Sequence, residues 1–383
     1  MKIISYKFTD TERDSWEFSE LKLKQVNLFV GMSGCGKTRT LNTIFNIGRF
    51  IAMNDHCLSG NWEMKLQCGD DLYEWQFRGV KDPSNESDNL IDIENLTLVK
   101  TTGERVELVV RTRDSFKFKG KDTVKLSSKS SAIHTLREEE DIKPLYDGFC
   151  GITRRNFSAN ELKEAAHIAP IPRALVEDLK KTHSLEALRR SDQRLNSKLY
   201  LLEKYFPDLF RKIFSIYQGV FPSIESYQIL DITKAPNIRV EIEMVANFAP
   251  VFALKEKGVN RPLILTDLSA GMLKVLLILV DIMTLPGGNI YILDEYENSL
   301  GVNAIDFLPS LLVEHGSEHQ FIITSHHPYL INAIPVSNWF VFHRSGSRID
   351  FQFGDELVAK FGKSKQKAFV QLLNDPFYVE GKK

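Results

Sequence analysis

The chain changes its hydrophobic pattern several times along its length. The first thirty or so residues carry apolar runs of strand type, "KIISYKF", "WEFSELKL" and "VNLFV". From about 60 to 130, apolar and polar positions alternate in "WEMKLQC", "LYEWQF", "IENLTLV", "VELVVRT", "SFKFKG" and "TVKLSS". That alternation predicts half-buried antiparallel strands. Between them "KDPSNESDN" (81–89) reads as a polar loop. From 172 to 220 the period lengthens: Leu185, Leu188, Leu195, Leu199, Leu202 and Phe206 recur mostly at three- and four-residue steps. Pro207 interrupts, and Leu209, Phe210, Ile213, Phe214 and Tyr217 resume, so helices are predicted on both sides. Alternation returns in "IRVEIEM" (238–244), and a buried helix is predicted over "MLKVLLILVDIMTL" (272–285). Two continuous apolar runs, Ile290–Leu293 and Phe321–Ile323, read as core strands.

Composition narrows the class without naming a function. The 383 residues are 43% hydrophobic and 26% charged, as in an ordinary globular protein of one large or two to three smaller domains. Lysine and arginine total 49 against 50 acidic residues, so any nucleic-acid contact must come from a local patch. Cys35, Cys57, Cys68 and Cys150 are scattered, with no C-x-x-C pair or metal spacing, which points to a reducing, cytoplasmic setting. The opening "MKIISYKFTDTERDSW" turns polar within ten residues and does not read as a signal peptide. The greasiest segment contains Lys274 and Asp281 and is too short to span a bilayer.

The chemistry enters at residue 26. The apolar run Val26, Leu28, Phe29 and Val30 is followed at once by Gly31-Met-Ser-Gly-Cys-Gly36-Lys37-Thr38, a G-x-x-x-x-G-K-[ST] match. Leu41, Ile44, Phe45, Ile47 and Ile51 then take up a helical period. Strand, glycine loop and helix is the context in which this motif cradles phosphate. Gly31, Gly34 and Gly36 free the backbone so that successive N–H groups converge on phosphate oxygens, and the helix start adds its positive dipole end. Lys37 supplies a point charge for the β- and γ-phosphates, and the Thr38 hydroxyl is a Mg²⁺ ligand. The predicted nucleotide-binding set here is Gly31, Ser33, Gly34, Cys35, Gly36, Lys37, Thr38 and Arg39.

Three later stretches complete the picture. Ile290–Leu293 ends in Asp294-Glu295: an Asp placed to hold Mg²⁺ and a Glu placed to deprotonate the attacking water, although exposed strand ends often carry acids. Leu268-Ser269-Ala270-Gly271-Met272 opens the long apolar helix, with Ser269 and Gly271 offering a hydroxyl and free N–H groups to one point; a plain serine helix cap has the same pattern. Thr324-Ser325-His326 closes the strand at 321–323, where a histidine can also be an ordinary loop residue.

In this order and spacing, the four stretches resemble ABC-type ATPases. The L-S-A-G-M segment resembles their L-S-G-G-Q signature, and His326 matches their γ-phosphate histidine better than His327 does. More than two hundred residues separate phosphate loop from signature. With "DEYEN" and "ITSHHPYLI", that interval resembles the SMC/RecF/OLD group, found in DNA repair and anti-phage defence. The resemblance implies an α/β fold: a P-loop ABC-ATPase head with a parallel core sheet, an antiparallel β subdomain and a helical insertion. It divides the chain into 1–170, carrying the phosphate loop and the β subdomain at about 60–130, a helical insertion at 171–222, a second head segment at 223–345, and a tail at 346–383. Departures are Tyr296 in place of the usual proline, Leu300-Gly301-Val302 in place of an L-H-P or L-D ending, and Met272 in place of glutamine. The glutamine loop is not placed: Gln67 and Gln76 both fall among predicted strands.

The same resemblance implies a homodimer sandwiching ATP and Mg²⁺. Lys37, Thr38, Asp294 and Glu295 act from one copy, and Ser269 and Gly271 from the other. About forty residues follow "NWFVFHRSG", too few for the Toprim nuclease of OLD enzymes, and Asp350, Asp355 and Glu356 read as exposed turn charges. The expected role is therefore an ATPase sensor or motor in defence, with a separate nuclease or toxin as effector. The alternative is a repair ATPase that binds DNA directly through "RTRDSFKFKGKDTVKLSSK" (111–129), Arg154 and Arg155, or the helix bearing Arg189, Arg190, Arg194 and Lys198. Lysines that keep an edge strand from aggregating give the same pattern. A transporter energy subunit is the third reading.

Overall fold

The computed structural model describes residues 1–11, 16–191, 193–231, 249–285, 287–315, 318–361 and 365–381; the strand expected at 238–244 lies outside them. Strands β1 (Lys2–Thr9), β2 (Glu17–Lys22) and β3 (Val26–Gly31) lead into helix α1 (Lys37–Met53). Then come β4 (Gly60–Cys68), β5 (Asp71–Asp82), β6 (Asn85–Val99), β7 (Arg105–Thr112), β8 (Phe116–Phe118) and β9 (Lys121–Asp122). Helices α2 (Ala132–Thr135) and α3 (Lys143–Cys150) precede β10 (Ile152–Arg155). The helical stretch holds α4 (Ala159–Ala166), α5 (Arg173–Thr182), α6 (Leu185–Arg190), α7 (Leu195–Tyr205) and α8 (Pro207–Val220). It is followed by β11 (Ile224–Asp231), β12 (Pro250–Glu256), β13 (Leu263–Ile264) and α9 (Ala270–Thr284). The chain continues with β14 (Ile290–Leu293), α10 (Val302–Ile305), α11 (Phe307–His315), β15 (Gln320–Thr324), α12 (Pro328–Ala333), β16 (Trp339–Ser345) and β17 (Arg348–Phe353). Three helices close it: α13 (Gly354–Phe361), α14 (Lys365–Leu373) and α15 (Pro376–Glu380).

The chain forms two compact units. The first, Met1–Arg155 with Gly287–Tyr296 and Leu311–Lys383, is built on a 14-stranded sheet of order β10-β14-β15-β3-β16-β17-β2-β1-β4-β5-β6-β7-β8-β9. Strands β10, β14, β15, β3 and β16 run parallel to one another. Their continuous apolar sequences follow from burial on both faces: every residue of β14 and β15 is buried, as is β3 from Asn27 onward. The wing from β4 to β9 is an antiparallel meander that alternates: Trp62, Met64 and Leu66 are buried, whereas Glu63 and Lys65 are exposed. The buried face of the wing shares one core with Leu41, Ile44, Ile47, Phe50 and Ile51 of α1, where Phe50 meets Phe77 at a centroid distance of 5.6 Å.

Two expectations in the wing change. Residues 81–89 are not a loop: β5 runs to Asp82, Pro83 and Ser84 make the turn, and Lys81 pairs with Asn89 across the hairpin. This end is largely solvent-exposed on both faces, so no apolar alternation marks it. "TVKLSS" is not a strand either. The Arg111 guanidinium holds that segment by donating to the carbonyls of Ser127 (2.6 Å) and Ser130 (2.8 Å).

Residues 346–383 contain β17 and three helices. Asp350 lies within β17 and accepts from Arg348 Nε at 3.1 Å; Asp355 and Glu356 open α13, with Asp355 paired to Lys24 at 2.7 Å. These are element residues and not turn charges.

The second unit, Asn156–Pro286 with Glu297–Ser310, packs α4 and α7–α9 with the three-stranded sheet β11-β12-β13. Helix α9 is buried all round from Leu273 to Thr284, which is why its sequence lacks a polar face. Asn196 is a polar tie within this core, donating to Ala166 O and accepting from Phe252 N, both at 2.9 Å. Among the described residues no helix is long and apolar enough to cross a membrane.

Candidate nucleotide site

The phosphate loop takes the shape its glycines allow. Gly34 (φ +79°) and Gly36 (φ +100°) occupy the left-handed region, and Gly36 caps α1. Gly31 is needed for a different reason, close approach: a Cβ there would lie 2.6 Å from Cys35 Sγ and 2.8 Å from Phe342 O. Lys37 folds back over its own loop, donating to Gly31 O (2.8 Å) and Met32 O (3.1 Å), with Cys35 Sγ at 3.6 Å. Burial pulls its ammonium below the usual lysine range, an effect opposed by Cys35 and by the nearby Glu295 and Asp294. Cys35 points into the protein, while Ser33, Gly34 and Thr38 face outward.

Because β15 lies between β3 and β14, the ends of all three parallel strands meet. Thr324, the last residue of β15, joins the carboxylate pair: its hydroxyl donates to Asp294 Oδ1 (2.8 Å) and accepts from Glu295 N (2.7 Å). Thr38 Oγ1 reaches the same Asp294 oxygen at 3.2 Å. Glu295 sits at φ +50°, an uncommon backbone for a non-glycine residue, and its side chain is exposed while Asp294 and Tyr296 on either side are buried. The turn therefore separates two adjacent acids, one held inside and one presented to solvent.

A cleft of about 350 Å³ gathers these groups, with Lys37, Thr38, Glu295, Thr324 and His326 among its lining. His326 is exposed there, whereas His327 caps α12 by accepting from Tyr329 N at 3.3 Å. Trp16 and Arg344 also line the cleft and carry no sequence motif. Two guanidinium groups lie over the Trp16 ring, Arg39 at 3.9 Å and Arg344 at 4.2 Å from its centroid, and Arg39 is further held by Asp10 at 3.0 Å. The donors this cleft could offer a metal are the Thr38 hydroxyl and the Asp294 carboxylate. That oxygen set suits Mg²⁺, which seldom takes an all-protein cage. Among the described residues no cluster of three or more His, Cys, Asp or Glu side chains offers an alternative metal centre.

Ser269 and Gly271 do not line this cleft and belong to the second unit. Exposed Ser269 caps α9, accepting from Met272 N at 3.3 Å; a Cβ on Gly271 would come within 2.7 Å of Ser299 O. Gln67 and Gln76 lie on β4 and β5 of the wing and do not line the cleft either.

The basic stretch at 111–129 is neutralised in place. Arg111 pairs with Glu94 (3.2 Å), Arg113 with Asp92 (2.7 Å), Lys119 with Asp141 (2.5 Å) and Lys129 with Asp88 (2.6 Å). Lys117 and Lys125 have Asp122 and Asp114 within 4 Å. The second basic face is split between two helices: Arg189 is on α6 near Glu186, Arg194 precedes α7 and pairs with Glu164 at 3.0 Å, and Lys198 lies on α7.

Residues 26–332 match the family described as "AAA domain, putative AbiEii toxin, Type IV TA system". The match covers well over half of the chain, and the chain belongs to this family. It is an ATPase domain of the AAA class, with a mixed α/β fold on a large central sheet. No curated protein matches it. Among solved structures, it is similar to an SMC head bound to the C-terminal winged-helix domain of ScpA, with 10% identity, 92% and 97% coverage of the two chains and a TM-score of 0.49. An SMC head domain from Thermotoga maritima gives 14%, 92% and 99%, and 0.42. An SMC head with an extended coiled coil, bound to the C-terminal domain of ScpA from Pyrococcus furiosus, gives 13%, 97% and 99%, and 0.49.

Proposed function

We propose that the protein binds and hydrolyses Mg-ATP in this cleft and serves as the ATP-driven switch of an anti-phage defence system whose effector is a separate protein. The observation that carries the catalytic part is the meeting of Lys37, Thr38, Asp294, Glu295 and Thr324 at the ends of three adjacent parallel strands. Lys37 swings from its loop carbonyls to the phosphates. Thr38 and Asp294 would hold Mg²⁺, which supplies charge neutralisation at the β- and γ-phosphates. Glu295, exposed and adjacent to the buried aspartate, orients and deprotonates the attacking water, and His326 contacts the γ-phosphate. Ser269 and Gly271 of a second copy complete the site, so ATP favours a closed homodimer and hydrolysis releases it.

Two observations favour a protein effector over direct DNA contact. Six of the seven basic residues of 111–129 have an acidic neighbour, leaving little net field for phosphate. The family description also names a toxin and a toxin–antitoxin system.

The test is nucleotide binding and turnover of wild type, Lys37→Ala and Glu295→Gln, each with and without DNA. Lys37→Ala should lose nucleotide binding. Glu295→Gln should bind ATP, cease turnover and accumulate as a dimer on size-exclusion chromatography with light scattering. Turnover of Glu295→Gln at the wild-type rate sinks the assignment. Stimulation by DNA that fades with salt would transfer the chain to the repair reading.

A further inference from the structure

Asp294 has two oxygens, and the structure divides them between different partners. Oδ1 receives the hydroxyls of Thr38 and Thr324. Oδ2 receives Arg154 Nη2 at 2.7 Å, in a contact where the side chains are only 14% and 6% exposed. Arg154 is not a passing surface cation. It lies on β10, paired in parallel with β14 so that Arg154 stands opposite Ile292, and the next carbonyl along, Arg155 O, accepts from Asp294 N at 2.9 Å. Its other terminal nitrogen, Nη1, donates to Asn42 Oδ1. Asn42 is one helical turn beyond Thr38 on α1, so the guanidinium bridges the phosphate-loop helix and the carboxylate strand. Its Nε is buried and has no partner among the described residues, leaving one donor unspent.

A carboxylate that is to share in holding Mg²⁺ therefore already carries a fixed counter-ion. We propose that Arg154 is a positioning residue for metal and nucleotide entry, a resident cation that competes with Mg²⁺ for Asp294. This inference rests on the Mg-ATP reading above. Two opposite consequences follow from Coulomb's law. Without metal, a bare Asp294 would repel the incoming triphosphate, and Arg154 cancels that charge, so the metal-free nucleotide is admitted. With metal, the guanidinium must yield Oδ2 or share the carboxylate, so the Mg²⁺ requirement rises. Once released, the guanidinium has Nη2 and Nε free to donate.

The probe is fluorescence of N-methylanthraniloyl-ATP, titrated once in EDTA and once against Mg²⁺ at fixed nucleotide, with folding followed by circular dichroism. In Arg154→Gln, affinity in EDTA should fall about tenfold, while the Mg²⁺ concentration giving half-maximal binding should fall by about the same factor. Damage to the fold would weaken both, so opposite movements are the signature. Arg154→Lys keeps the charge but cannot bridge Asn42 and Asp294; it should show the same pair of shifts at smaller size and carries the test if Arg154→Gln does not fold. Shifts in the same direction, or none, overturn the inference. If wild type binds no nucleotide, or Lys37→Ala binds as well as wild type, the Mg-ATP reading itself has failed. If Lys37→Ala abolishes binding and the opposite shifts are missing, only the role of Arg154 has failed.

Discussion

Glu94 and Arg111 face each other across β6 and β7 at 3.2 Å, with side chains 0% and 4% exposed. Glu94 also accepts from Ser131 Oγ (2.5 Å) and from Ala132 N (2.7 Å), while Arg111 holds the carbonyls of Ser127 and Ser130. One buried pair thus fastens residues 127–132 to the wing. Replacing Glu94 by Gln, or Arg111 by Met, leaves the other charge buried and uncompensated, and each should cost about 3–5 kcal/mol. Urea denaturation of the purified variants measures this; a loss below about 1 kcal/mol would mean the pair is not buried as described.

Gly36 makes a sharper prediction about the phosphate loop. Its φ of +100° disfavours any side chain, and a Cβ would sit 2.1 Å from Ile349 Cδ1. Gly36→Ala should combine a left-handed penalty of about 1–2 kcal/mol with an overpacking cost of about 1–3 kcal/mol. Nucleotide affinity should drop with it. Adding Ile349→Ala relieves the clash and not the backbone, so affinity should return only in part. Full recovery in the double variant would show that the backbone conformation does not matter.

Lys274 is a cation inside an apolar helix. It is fully buried, donates to Asn298 O at 3.0 Å and lies 4.1 Å from the centroid of the Phe157 ring. It ties the start of α9 to the segment that follows the carboxylate pair. Lys274→Met keeps most of the volume and loses a charged hydrogen bond, worth about 1.5–3 kcal/mol. Thermal melts should show that loss, and Lys274→Arg should recover part of it; equal melting of Lys274→Met and wild type would contradict the contact.

None of the four cysteines is in a disulfide, and their thiols should separate cleanly by reactivity. Burial pushes the Cys57 thiol up to about 12 and the Cys68 thiol up to about 11, whereas Cys150 is exposed. A raised thiol stays protonated at neutral pH, so the reactive thiolate is scarce. Iodoacetamide at pH 8, read by peptide mass spectrometry, should label Cys150 first and Cys57 only after unfolding. The folded values exceed the unfolded one, so the unfolded state releases these protons first. Each thiol therefore withdraws stability as pH rises from about 9 toward its folded value.

Much of the core was legible because buried parallel strands leave uninterrupted apolar runs. Val26–Val30, Ile290–Leu293 and Phe321–Ile323 lie in β3, β14 and β15, and α9 follows Ser269. Residues 81–89 were not legible, since a hairpin end with both faces in water shows only polar side chains. Arg154 and Trp16 were opaque for another reason. Their partners, Asp294 and Arg344, are distant in sequence, and no local period records such a meeting. The basic run at 111–129 looked like a field because Glu94, Asp92, Asp88 and Asp141 lie outside it.

Among the described residues the two halves of the great sheet are joined through β17, which pairs with β16 on one side and, through Arg348 and Ile349, with Glu17 and Phe18 of β2 on the other. A ribosome makes that strand long after the wing. Until then β2 offers an open strand edge, the kind of surface that invites pairing with a neighbouring chain. The nascent protein would therefore carry that exposed edge until β17 emerges, and a chain stopped near Ser345 would keep it.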